Sequence, residues 1–127
     1  LQKGEALEGY VPEDVLGEPR TGLTILYATD SRPVPRMAEL AQNADLLILE
    51  GMFGQPEKLD RAMEARHMLM QEAAAIAREA YAKQLWLTHF SPANPEPEQY
   101  LEELRTIFPN TCIGTDGLFT QLRFPEL

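Results

Sequence analysis

Leu46-Leu47-Ile48-Leu49-Glu50 is the stretch on which the reading of this chain turns. With Ala44 before it, the run 44–49 is apolar but for Asp45 and is capped by an acid, the pattern of a strand buried on both faces. Working outward, Leu85-Trp86-Leu87-Thr88 repeats the pattern and runs directly into His89. Residues 23–27 are a third β-rich run, closed by the turn chemistry of Asp30-Ser31-Arg32-Pro33. Helical patterns separate these runs: a short one at 35–41, a long one over 56–83, and a third over 95–108. The long one carries the stripe Leu69, Ala73, Ile76, Ala80, whose spacing keeps all four on one face. The third presents Tyr100, Leu101, Leu104 and Ile107. Thr111–Ile113 and 118–124 are expected to close the chain as short strands around Asp116-Gly117, and residues 1–22 read as a polar, turn-rich opening loop or short edge hairpin.

Strands alternating with helices predict an α/β domain with a mostly parallel sheet. In such sheets the polar site lies at the carboxyl ends of the strands. Asp30, Glu50 and His89 each sit at such an end, so alternation alone brings three chemically capable groups to one rim. A carboxylate at Asp30 can bridge two cations, and a neutral imidazole at His89 is a good transition-metal ligand. Glu50 and His67 suit a pair in which the carboxylate orients an imidazole that transfers a proton. Each has a plainer reading: a turn Asp, a hydrogen-bonded His at a strand end, a solvated strand end at Glu50, a helix-surface His67. Arg32 suits a phosphate contact, or an ordinary ion pair with a nearby acid. Met63, Met68 and Met70 read mainly as helix core, and the acids between Glu96 and Glu103 as a solvated helix face.

At 127 residues the chain supports one modest domain, 1–127, made of the opening loop (1–22) and an αβ core (23–127). A formal charge of −9 argues against a nucleic-acid-binding patch on this segment itself, since phosphate binding needs clustered Lys and Arg. The lone Cys112 forms no internal disulfide, which suits a reducing, cytoplasmic setting; it reads as a core residue. No apolar run approaches membrane-spanning length, so no membrane partner is expected. The chain opens on Leu1-Gln2-Lys3 without an initiator Met or an apolar leader, which reads as a piece of something longer.

These clusters, in this order, resemble the C-terminal half of the ribonuclease Z family, tRNA 3′-endonucleases of the metallo-β-lactamase fold. Leu1-Gln2-Lys3-Gly4-Glu5 resembles the family's Leu-Lys-x-Gly segment. Tyr27-Ala28-Thr29-Asp30-Ser31-Arg32-Pro33 resembles Tyr-x-Gly-Asp-Thr-Arg-Pro, and Leu46-Leu47-Ile48-Leu49-Glu50 resembles Leu-Leu-Ile-His-Glu. His67 stands for the His-Ser-Thr motif, and Leu87-Thr88-His89-Phe90-Ser91 matches Leu-Thr-His-Phe-Ser. The resemblance implies half of an αββα sandwich with a mixed sheet covered by helices. It further implies that Asp30 bridges two zinc (or manganese) ions, that His89 binds one of them, and that Glu50 and His67 protonate the leaving 3′ oxygen. Precursor tRNA is the implied substrate and an N-terminal half the implied partner; the apolar face that half would cover is expected to make this chain form a homodimer or aggregate when alone.

The chain departs from the family in several places. Leu49 replaces the usual His, Thr29 the usual Gly, and Met68-Leu69 the Ser-Thr pair that would cap a helix. Pro92-Ala93-Asn94 stands where a phosphate-holding Arg is usual, and the His-x-His-x-Asp-His motif does not occur. The expectation is therefore a partial metal site that this chain alone does not complete. Another phosphodiesterase or hydrolase of the same fold, or a catalytically silent interaction domain, are the competing readings.

Overall fold

The computed structural model describes residues 3–125; Leu1 and Gln2 of the opening motif lie outside them. Four strands, β1 (Ile25–Ala28), β2 (Leu46–Glu50), β3 (Leu85–Thr88) and β4 (Thr111–Ile113), form one sheet in the order of the chain. Every neighbouring pair is parallel. The connections carry α1 (Pro35–Leu40), α2 (Leu59–Ala65), α3 (Met70–Glu79) and α4 (Leu101–Ile107). Sequential strand order combined with right-handed crossovers sends successive connections to the same side of the sheet. The core shows the result: Leu47, Leu49, Leu85 and Leu87 on one sheet face pack with Met37 and Ala38 of α1, Ala73 and Ile76 of α3, and Leu104 of α4. Burying a leucine this fully stabilises the fold by roughly 1.5–3 kcal/mol relative to leaving it in water.

Among the described residues the opposite sheet face is bare of helices. Its row Tyr27, Ile48, Trp86, Cys112 follows from the strand registers, and Tyr27 is 66% exposed. Cys112 is thus half-buried on this face rather than a core residue. The indole Nε1 of Trp86 is buried there without a hydrogen-bond partner.

Three sequence expectations need correction. The sheet is wholly parallel among the described residues rather than mixed. Residues 118–124 form no strand: after the turn at Asp116-Gly117 the segment is irregular and leaves Leu118, Phe119 and Phe124 exposed. The long helical pattern is two helices. Arg66 adopts the left-handed conformation (φ 63°) and ends α2, while His67, Met68 and Leu69 cross a gap before α3 begins. No glycine or proline marks this break. It is a tertiary demand, because Met68 N–H turns toward Glu50 and Met70 N–H bonds the Phe53 carbonyl at 2.8 Å. Met68 and Met70 are fully buried, as a core reading requires, but Met63 is exposed. Glu96, Glu98, Glu102 and Glu103 are solvated.

Candidate functional site

The strand ends deliver the polar groups. β2 places Glu50 beyond its apolar run, where the side chain is wholly buried. An inward carboxylate needs donors, since an unpaired buried charge is costly. It has three: Ser31 N–H reaches Oε1 at 2.8 Å, and His67 Nδ1 (2.9 Å) and Met68 N–H (3.3 Å) reach Oε2. A carboxylate only accepts, so Nδ1 of His67 is the donor in this contact and Nε2 takes no part in it. The end of β2 and the gap between α2 and α3 thus bring Glu50 and His67 into direct contact across 17 residues of chain.

Asp30 and His89 stand just past the ends of β1 and β3. Both adopt φ 54°, a left-handed conformation that costs a non-glycine residue roughly 1–2 kcal/mol. Strain of this kind persists where the surroundings hold the residue in place, commonly at functional sites. Here it turns both side chains to the same rim. Asp30 Oδ1 lies 3.7 Å from His89 Nε2 and 4.0 Å from His67 Nδ1, beyond hydrogen-bond length in each case. The two imidazoles meet edge to face with centroids 5.5 Å apart. Asp30, His67 and His89 each offer a ligand atom, all within 4.8 Å of one another. One oxygen and two nitrogen donors suit zinc and its neighbours, while a closed zinc site takes four ligands. The set therefore fits part of a metal site.

Of the two readings of Arg32, the structure shows the ion pair with an acid. Its guanidinium pairs with Glu72 through two bonds of 2.7 Å, and Nη1 also donates to the His67 carbonyl at 2.8 Å. Glu72 was not singled out by sequence reasoning. Its Oε1 also accepts Leu69 N–H at 2.9 Å, so it caps α3 where the Ser-Thr pair is missing. A Glu three residues into a helix is a recognisable capping signal, but only once the start of α3 is known. Asn94, in the loop after His89, is buried and bonds the Gly51 carbonyl through Nδ2 at 3.4 Å.

With this geometry in place, comparison with known proteins gives a consistent result. A family profile described as a beta-lactamase superfamily domain matches residues 11–90. The chain is 50% identical to ribonuclease Z of Clostridium acetobutylicum, over 98% of this chain and 41% of that protein. It is 46% identical to ribonuclease Z of Lachnoclostridium phytofermentans, over 99% of this chain and 43% of that one. The chain thus spans about two-fifths of the length of the curated relatives it matches.

Among solved structures, the metallo-β-lactamase fold protein YhfI from Bacillus subtilis aligns with a TM-score of 0.64 and 32% identity. That alignment covers 74% of this chain and 38% of YhfI. The short form of human tRNase Z aligns with a TM-score of 0.52 and 36% identity, covering 59% of this chain and 29% of that one. The strand-end rim, the profile match and these neighbours agree: the chain belongs to the beta-lactamase superfamily and is similar, over almost its whole length, to part of ribonuclease Z.

Proposed function

We propose that this chain supplies part of the active site of a metal-dependent phosphodiesterase that trims the 3′ end of precursor tRNA. The observation that carries the reading is the hydrogen bond from His67 to the buried Glu50, set on the same rim as Asp30 and His89. The names and identities of the ribonuclease Z relatives support the substrate class.

In this reading Asp30 and His89 would hold zinc or manganese, two ions in the complete enzyme, with further ligands from outside this chain. Bound metal supplies Lewis acidity toward a phosphoryl oxygen and lowers the pKa of a coordinated water. The chain's own residues act on the leaving side. Glu50, anchored by two backbone N–H groups, keeps Nδ1 of His67 bonded, holds the ring in one orientation and stabilises the imidazolium. A protonated Nε2 then gives its proton to the departing 3′ oxygen, and the neutral ring recovers a proton before the next turnover. The edge-to-face placement of His89 against His67 limits the freedom of both rings. A cytoplasmic location, a homodimeric assembly and completion by an N-terminal half belong to the same proposal.

A second reading is a phosphodiesterase of the same fold with a small substrate. It is favoured by the loop after His89, where Asn94 is buried against Gly51 and no Arg is present to hold phosphate. The test is cleavage by the full natural polypeptide carrying this chain, on precursor tRNA with a 3′ trailer and on bis(p-nitrophenyl) phosphate. Cleavage of tRNA that is lost in His67→Ala supports the first reading. Turnover of the small diester alone supports the second, and turnover of neither supports a silent interaction domain.

A further inference from the structure

We propose that Arg32 is a positioning residue for proton transfer, acting with Glu72 to hold His67 in place rather than contacting substrate phosphate. This rests on the reading of His67 as the proton donor.

His67 occupies an irregular stretch of backbone for a group that must be held accurately. It lies in the gap between α2 and α3, directly after the left-handed Arg66, with no helical ladder of its own. Its N–H bonds the Ala62 carbonyl at 2.8 Å. Its ring bonds Glu50, and its carbonyl is taken by Arg32 Nη1. Arg32 is in turn fixed by the fork-to-fork pair with Glu72, whose Oε1 also binds Leu69 N–H at the start of α3. The planar guanidinium thus ties both sides of the gap to the loop after β1.

That loop makes three successive contributions. Asp30 faces the two histidines, Ser31 N–H anchors Glu50 Oε1, and Arg32 anchors the His67 backbone. The carboxylate, the imidazole and the candidate metal-facing acid are therefore registered by one three-residue segment. Both hydrogens of Nη1 and one of Nη2 are engaged, and the Arg32 side chain is only 27% exposed. The fork turned toward Glu72 is therefore not open to a phosphate, which leaves only Nε–H and the second Nη2 hydrogen. A displacement of about 1 Å in a catalytic group can cost on the order of 100-fold in rate.

The experiment compares Arg32→Met, Glu72→Gln and the double variant in the full natural polypeptide carrying this chain. It reads kcat and KM on precursor tRNA, together with the imidazole Nδ1–H signal of His67 by 15N-histidine NMR. Positioning requires that Arg32→Met lowers kcat by about 10–100-fold with KM little changed. Glu72→Gln should shift kcat the same way, and the double variant should be no worse than Arg32→Met alone, because the two act as one unit. The Nδ1–H signal should broaden or vanish in both single variants.

A raised KM with kcat intact in Arg32→Met, alongside an unaffected Glu72→Gln, would make Arg32 a phosphate contact and overturn the proposal. An unchanged His67 signal in both variants would overturn it as well. If the wild-type polypeptide cleaves no phosphodiester, the functional reading fails by itself, and the NMR signal alone decides the positioning role. Should Arg32→Met not fold, Glu72→Gln carries the same readouts, since Gln can still accept Leu69 N–H.

Discussion

Nδ1 of His67 lies 2.9 Å from Oε2 of Glu50, a carboxylate with no exposed surface. The contact joins the end of β2 to the gap between two helices, and it orients an imidazole whose other nitrogen stays free. Glu50→Gln keeps the shape and still accepts from Ser31, but it removes the charge that favours an imidazolium. In the full polypeptide, cleavage of precursor tRNA is expected to fall by about 100-fold or more, in the range typical of acid–base groups. Activity within twofold of wild type would remove this pair from the mechanism.

Asp30, His67 and His89 present a donor set of one oxygen and two nitrogens. Calorimetric titration with zinc should show Asp30→Asn and His89→Ala each weakening the metal by at least about tenfold, the lower bound for losing even an outer-shell partner. Equal zinc affinity in both variants would place the metal elsewhere.

Asp45 ties the start of β1 to the start of β3. Its Oδ2 accepts Thr24 N–H at 2.8 Å and its Oδ1 accepts the Lys83 ammonium at 2.8 Å. The Lys83 hydrogen bond, followed by that from Thr24, holds its carboxyl below the ordinary carboxylate range. A depressed folded pKa contributes stability that is present above the unfolded pKa and is lost as pH falls through the folded one. Asp45→Asn should therefore cost about 1–2 kcal/mol at pH 7 by urea denaturation, with the difference shrinking toward pH 3. A gap that is equal at both pH values would contradict this ion pair's role.

Gly54 sits directly against the ring of Tyr100, so that any Cβ there overlaps the aromatic carbons. Gly54→Ala is expected to lower stability by about 1–3 kcal/mol through overpacking. Adding Tyr100→Ala should recover part of that loss. A Tm unchanged by the single substitution would show that the ring moves aside freely.

The helix-free sheet face exposes Tyr27 and Ile25 beside the half-buried Trp86. The 127-residue polypeptide by itself is expected to self-associate through this face, and Tyr27→Lys to reduce that association. Light scattering distinguishes the cases; a monodisperse monomer at micromolar concentration would count against an unpartnered apolar surface.

What the sequence by itself determined was the local and periodic part. Apolar runs ending in Asp, Glu and His are enough to place Asp30, Glu50 and His89 on one rim, because parallel strands share a direction and therefore a polar end. The buried stripe Ala73, Ile76, Ala80 follows in the same way from helical spacing.

The tertiary structure alone decided three things. The break at Arg66 has no glycine or proline to announce it; it exists because the Met68 and Met70 N–H groups find partners on Glu50 and Phe53. The acid that pairs with Arg32 is Glu72, a partner 40 residues away that no spacing rule links to it. Residues 118–124 look like a strand in composition, yet a strand needs an edge to pair with, and none among the described residues receives it. Periodicity is written residue by residue along the chain, whereas hydrogen-bond partners distant in sequence are chosen only when packing brings them together.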